Sequence, residues 1–469
     1  MIWHITRREL YDNLNSLRFA LTTVLLLGLM LTNAVVHLRE HPERIQKYRE
    51  GVAAYQNRLK SYAEESLYRL AQKGPGDLYK KPALLRFCAE GGETFLADHT
   101  SVNHRWSTDT LESFWILTYP SGTLNVNNVR PEVTKVDWDF IIGYVLSLIA
   151  LLFTFDAVSG ERENGTLRLT LANPISRYAL LIGKFLGALI SVSIPFTLAI
   201  LVNLLVVSTS SDVYLDAAAW GRLGIIFLIA LVYTCLFLAL GLLVSARVRR
   251  SGVSLVILLL VWVTFVVFIP NTLISIVGGF SSSKSTHGLS ERSWQLHLEI
   301  LDEYYDRRRD VSKNLTEEIQ LGGEIVTKEA EQQAQLRAER LNQRIFQVNQ
   351  ARTITRFSPV TIFQHLLESF AGTGFERHLQ FLRNVQSHAR QFQEFVVDTD
   401  RTDPESLHIF GVRDGMSQKS VPIEAVPKFE DTLSLSKDFN TAAINLLLLT
   451  FFVIVLLSGA YLVFVRVEV

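Results

Sequence analysis

Residues 223–244 read LGIIFLIALVYTCLFLALGLLV, with Arg222 just before and Arg247 just after, and no Asp, Glu, Lys, Arg or His inside. A run of this length and character crosses about 30 Å of hydrocarbon as a helix rising 1.5 Å per residue. Five further runs stand beside it: Leu17–Val36, Phe140–Phe155, Leu180–Val207, Val253–Val277 and Ala442–Val465. Six spans make an all-α polytopic membrane protein. Arg18, Asp156, Lys184 and Arg222 lie near span ends and no charge falls near a span centre. A mid-membrane charge usually marks an ion path, so this absence argues against a proton- or sodium-driven carrier.

Composition narrows the function from the other side. Of 469 residues 48% are hydrophobic, and 46 basic side chains balance 46 acidic ones. That neutrality offers no basic surface for nucleic acid, and a mean hydropathy of +0.21 excludes a disordered chain. Cys88 and Cys235 are too few for a disulfide framework or a thiolate metal site. His99, His104, His287 and His297 form no tight metal-ligand spacing.

The short connections set the orientation. Arg7, Arg8 and Arg18 precede or open span one; Arg162, Arg168, Arg177 and Lys184 lie between spans two and three; Arg247, Arg249 and Arg250 lie between spans four and five. The link between spans three and four carries Asp212 and Asp216 and no basic residue. The positive-inside rule then places both termini in the cytoplasm. The first span is too long for a signal-peptide core and lacks a small-residue cleavage site, so it reads as an anchor. Ahead of it Trp3, Leu10, Leu14 and Leu17 share one helical face, which predicts a cytoplasmic interfacial helix over 1–16 lying against membrane lipid.

The expected layout is span one at 17–37, a first extracytoplasmic insert at 38–136, span two at 137–158, and a cytoplasmic helix at 159–178. Span three follows at 179–207, an outer loop at 208–220, span four at 221–245, a cytoplasmic loop at 246–250 and span five at 251–279. A second insert occupies 280–438, and span six with the cytoplasmic end 439–469. More than half of the chain therefore faces outward. Ile45, Tyr48, Val52, Tyr55, Leu59 and Tyr62 form a short heptad seam in the first insert, and Leu336, Leu341, Ile345 and Val348 a stripe in the second. Both inserts read as mainly helical. Ser358-Pro359 opens a helix that stops at Gly372-Thr373-Gly374, and 398–438 reads as a loop or small sheet.

Between spans two and three the sequence runs Asp156-Ala-Val-Ser-Gly-Glu161-Arg162-Glu163-Asn-Gly165-Thr166-Leu167-Arg-Leu-Thr-Leu-Ala-Asn-Pro174-Ile-Ser176-Arg177. Alternating charges, a Leu cluster and an Asn-Pro break describe a short helix across the cytoplasmic face, or an ordinary connecting loop. This stretch, continued by Gly183-Lys184, resembles the membrane subunits of ABC-2-type exporters, in which Glu-x-Glu-x-Gly-Thr-Leu, then Pro-Ile-Ser-Arg and Gly-Lys, mark the loop. The six-span layout with an interfacial helix is similar too, and the inserts after spans one and five match a subgroup of that family. The resemblance implies that Glu161, Arg162, Glu163, Gly165, Thr166, Leu167, Pro174, Ser176 and Arg177 couple the chain to a separate nucleotide-binding ATPase in a bacterial inner membrane.

The resemblance further implies that ATP and Mg belong to that partner, with no cofactor on this chain and no enzyme activity of its own. The sequence agrees, since Gly183-Lys184 is followed by Phe185 and no Gly-x4-Gly-Lys-Ser/Thr phosphate loop occurs. A second copy or a similar permease is implied as well, and Gly183, Gly187 and Ser191 offer a small-residue face as a candidate dimer contact. The expected function is a permease subunit of an ATP-driven exporter. The alternative is a mechanotransmitting subunit that relays ATPase motion to the inserts, and through them to an extracytoplasmic partner, without transport.

Overall fold

The computed structural model describes residues 2–91, 98–103, 116–118, 136–172, 175–210, 213, 215–273, 286–311, 314–432 and 435–466. Helix α1 (Ile2–Leu14) turns through Ser16 into α2 (Leu17–Glu65), the Ser16 hydroxyl capping the Phe19 amide at 3.3 Å. Span one was expected to end at 37. The helix that carries it runs on unbroken through Pro42 to Glu65, 49 residues in all and about 74 Å at the helical rise. The lipid-facing pattern passes directly into the heptad seam, leaving no stop signal between them.

Among the described residues five helices are long and apolar enough to cross a membrane: the α2 helix, α7 (Arg177–Val207), α8 (Ala217–Arg247), α9 (Ser251–Leu273) and the 442–465 part of α14 (Leu435–Val465). The sixth expected span, α4 (Trp138–Leu152), is shorter, about 22 Å long, and its Ile141–Leu146 turn is π-helical. A second π turn occupies Val263–Phe268 of α9. Residues 274–279, expected to finish span five, lie outside the described residues, as does Asp212.

The shortfall of α4 is met by a helix assigned from sequence to the second insert. Helix α12 (Pro359–Ala371) opens with Ser358 and Pro359 as expected and ends at Gly372, whose φ of 71° is the left-handed stop glycine tolerates. Yet Val360, Ile362, Phe363, Leu366, Leu367 and Phe370 are buried in the same apolar core as the spans. Phe363 stacks on Tyr233 of α8 with centroids 4.4 Å apart, and the Tyr233 hydroxyl donates to the Gly143 carbonyl of α4 at 2.9 Å. The Ser358 hydroxyl donates to the Phe265 carbonyl at 2.6 Å, and Arg222 donates to the Phe370 carbonyl at 3.2 Å. A carbonyl in each π turn thus accepts a side-chain hydroxyl, Gly143 from Tyr233 and Phe265 from Ser358. A Cβ on Gly143 would come within 3.1 Å of Val360, so glycine there lets α12 and α4 approach closely.

The inserts share one core. Tyr55 and Leu59 of α2 and Leu70 of α3 (Leu67–Lys73) pack with residues of α10 (Thr286–Asp310), α11 (Leu315–Thr355) and α13 (Gly374–Arg401), including Ile300, Ile325 and Phe392. The Leu67 amide donates to the Lys419 carbonyl at 2.8 Å, and the Val421 amide to the Ala63 carbonyl at 2.8 Å. The heptad seam therefore packs inside its own chain, joining the two inserts. Leu341 and Val348 of the second stripe are buried in the same core.

Helices α10 and α11 pair through buried His297 and Glu329 at 2.7 Å and Ser293 with Gln333 at 2.7 Å. Strands occur in the first insert instead of at 398–438: β1 (Gly76–Tyr79), β2 (His99–Asn103) and β3 (Ile116–Thr118) form an antiparallel sheet with Gly76 opposite Val102 and Ser101 opposite Thr118. Between the end of α13 and residue 432 the described chain is held by turns, with one 3₁₀ turn at Arg413–Gly415.

Candidate functional site

The segment between α4 and α7 folds as two short helices, α5 (Ser159–Glu163) and α6 (Thr166–Ala172), where one was expected. Gly165, at φ 73°, makes the corner between them, a backbone state that a β-carbon disfavours. The Thr166 hydroxyl bridges the corner by donating to the Glu161 carbonyl at 3.2 Å. Leu167 is buried with Val158, Leu180, Leu181, Leu242 and Phe464, fixing α6 beneath α7, α8 and α14. Pro174 lies outside the described residues.

Polar groups then tie the segment to the ends of its neighbours. Ser245 of α8 accepts the Val158 and Ser159 amides at 3.0 Å each. Arg162 donates to the Val248 and Ala246 carbonyls at 3.3 and 3.4 Å, closing the frayed end of α8. Glu163 accepts from the Ser251 amide at 3.0 Å and hydroxyl at 2.7 Å, capping α9; these bonds hold its carboxyl below the usual carboxylate range. Arg177 donates to the carbonyls of Phe464 at 3.4 Å and of Val465 at the end of α14. Ser176 stands at the N-cap of α7 in extended conformation. At the other margin Arg18 pairs with Asp156 at 2.8 Å and lies over the Phe155 ring.

The tightest tie is a buried charge triad. Lys184 of α7, 4% exposed, donates to Glu9 of α1 at 2.6 Å and to Glu161 at 2.8 Å. Around it α1 lies directly on α7: a Cβ on Gly183 would fall 2.7 Å from Ile5 Cγ2, and one on Gly187 2.6 Å from Glu9 Cβ. Thr6 donates to the Gly183 carbonyl at 3.3 Å, and Ser191 donates to the Gly187 carbonyl within its own helix at 2.7 Å. The small-residue face expected to meet a second chain is therefore occupied by α1, because glycines admit an amphipathic helix as readily as a partner span.

Of the candidate coupling residues, Glu161, Arg162, Leu167 and Arg177 face this chain's own helices, while Glu163 is exposed with its carboxylate bonded to Ser251. What the segment presents outward is Asn164, Gly165, Thr166, Arg168 and Leu169, the last 70% exposed, with Tyr178 beside them at 52%. Glu9, Ser245 and Ser251 were not singled out from sequence. Nothing in their local pattern distinguishes them, since their roles come from helices distant in the chain.

Spans gathered on one connecting loop, with a surface helix packed beside it, describe an integral membrane protein. The chain belongs to the ABC-2 family transporter protein family, whose pattern it matches over residues 3–469. It is 34% identical over 167 residues to the probable ABC transporter permease protein NosY of Pseudomonas aeruginosa, covering 35% of this chain and 58% of that protein. The same-named protein of Stutzerimonas stutzeri is 29% identical over 167 residues, with the same coverage. The chain thus spans little more than half the length of these relatives. Membership makes it a membrane component of an ABC transporter.

Proposed function

We propose that this chain couples ATP hydrolysis, performed by a separate nucleotide-binding subunit carrying the ATP and Mg, to export across a bacterial inner membrane. Both termini and the α5–α6 segment face the cytoplasm, the inserts face outward, and a second copy or a similar permease completes the translocation unit. The observation that carries this reading is the set of ties on residues 156–177. One short segment is bonded to α2, α7, α8, α9 and α14, and Lys184 links it on to α1, so a push on it reaches those helices together. Arg168, Leu169 and Tyr178 supply the outward contact, an apolar anchor beside a cation, as interface cores favour.

A second reading is supported by α2 and α12. The unbroken α2 links the bundle to the insert core, and α12 seats part of the second insert among the spans. Such a frame suits a relay that moves the inserts without transporting anything. Replacing Leu169 with Asp and measuring ATPase co-purification and stimulated hydrolysis tests the contact shared by both readings. Substrate efflux from vesicles, with the contact intact, separates them.

A further inference from the structure

The sequence placed no charge near a span centre, but α12 encloses one at the insert end of the bundle. Asp139, in the first turn of α4, is 8% exposed. Its Oδ2 accepts from the Gln364 amide of α12 at 2.8 Å, while Oδ1 is buried without a hydrogen-bond partner. Gln364 is half-buried, whereas Thr361, Phe363 and His365 around it are buried. The Thr361 hydroxyl on the same helix is likewise buried without a partner.

The groups around Asp139 explain which atom must balance its charge. On its own element stand Asp137 and Tyr144; from α8 comes Tyr233, and from α12 Glu368, with the Cys88 carbonyl accepting the Asp139 amide at 3.0 Å. None of these is a cation. Asp137 is satisfied by the Glu90 and Phe140 amides at 2.9 and 2.8 Å. Glu368 is paired with Arg352 at 3.3 Å, and His365 on the same helix lies near Arg352 and Arg356. Asp139 alone in this group is an acid with neither a cation nor a full set of donors among the described residues. A buried carboxylate in that position resolves its charge by taking a proton, which also converts the orphaned oxygen into a hydroxyl.

We propose that Asp139 is a proton-binding site: its carboxyl carries a proton while α12 is seated against α4, and gives it up to water when the two separate. Seating and protonation are then linked, so the proton acts as a latch on the helix that joins the second insert to the spans. Glu368 differs in being paired with Arg352 at 3.3 Å. The latch operates whether the subunit exports a substrate or relays motion.

Infrared spectroscopy of the full-length protein in lipid nanodiscs tests it. The wild-type protein should show a protonated-carboxyl carbonyl stretch that shifts in D2O and with carboxyl-¹³C aspartate. Asp139→Asn should abolish the signal and Glu368→Gln should preserve it. An Asn also mimics the neutral acid, so wild-type stability should fall as pH rises above the ordinary carboxylate range by more than that of Asp139→Asn. A wild-type signal insensitive to labelled aspartate, or one lost in Glu368→Gln and kept in Asp139→Asn, overturns the assignment. The labelling arm needs no variant and stands even if Asp139→Asn fails to fold.

Discussion

Replacing Lys184 with Met removes the ammonium that joins α1 to the α5–α6 segment. Two charge-assisted hydrogen bonds are lost, at 2.6 Å to Glu9 and 2.8 Å to Glu161, each of a kind contributing about 1.5–3 kcal/mol. Both carboxylates are about a quarter exposed, so water recovers part of each loss and the lower figure applies. The expected destabilisation is about 3 kcal/mol, rising toward about 5 if the two acids stay juxtaposed. Reversible unfolding in mixed micelles measures it, with Glu9→Gln and the double variant closing a thermodynamic cycle. The coupling energy between Glu9 and Lys184 should be about 1.5 kcal/mol; additivity within about 0.5 kcal/mol would refute a shared ion pair. Function separates as well, because Leu169 remains in place. The ATPase should still co-purify with the Lys184→Met protein, but its stimulated hydrolysis should drop.

Leu169→Asp acts on the opposite surface: stability should change by no more than about 0.5 kcal/mol, while ATPase co-purification is lost; full retention of the partner would exclude this patch. Gly187→Leu forces side-chain atoms into Glu9, so α1 should detach, read as increased protease cleavage after Arg7 and Arg8 with the spans still folded. Burial pushes His378 down to about 3 and His388 to about 4. Both are neutral when folded and take a proton near pH 6.5 when unfolded, so their contribution is complete above that pH and is lost as pH falls toward 4. At pH 5 each should cost the insert about 2 kcal/mol, visible as faster hydrogen exchange in α13; His388→Gln should relieve its share, and an unchanged acid profile would show that His388 is not desolvated.

The bundle was legible because hydrocarbon imposes a length and composition on any helix that crosses it, and the Glu161–Lys184 stretch was legible as a motif. Which way those side chains point was not. Glu161 and Glu163 look like exposed acids from their neighbours in sequence, yet one is claimed by Lys184 of α7 and the other by Ser251 of α9. Likewise a glycine spaced four from another says only that something approaches closely; that it is Ile5 and Glu9 of the same chain depends on where α1 folds back. The continuity of α2 was hidden by the change from an all-apolar run to a heptad pattern, two signals that a single helix carries in succession.

The hardest element to place was α12, and it bears most on mechanism. Its sequence, PVTIFQHLLESFA, is too short to span and carries Gln364, His365 and Glu368, so it reads as a helix of a soluble insert. An apolar helix of about 13 residues is equally suited to enter a bundle partway, provided its neighbours satisfy its polar groups. Here Asp139 serves Gln364, Arg352 serves Glu368 and Phe265 serves Ser358, while the Thr361 hydroxyl is left buried without a partner. A rigid insert resting on the spans could be displaced without disturbing them. An insert that sends a helix between α4, α8 and α9 cannot, and the π turns in α4 and α9 sit where that helix makes its contacts. On the proposed function, motion entering at residues 156–177 would reach the inserts by way of α4 and α12 as well as along α2, and the export and relay readings share this path up to its last step.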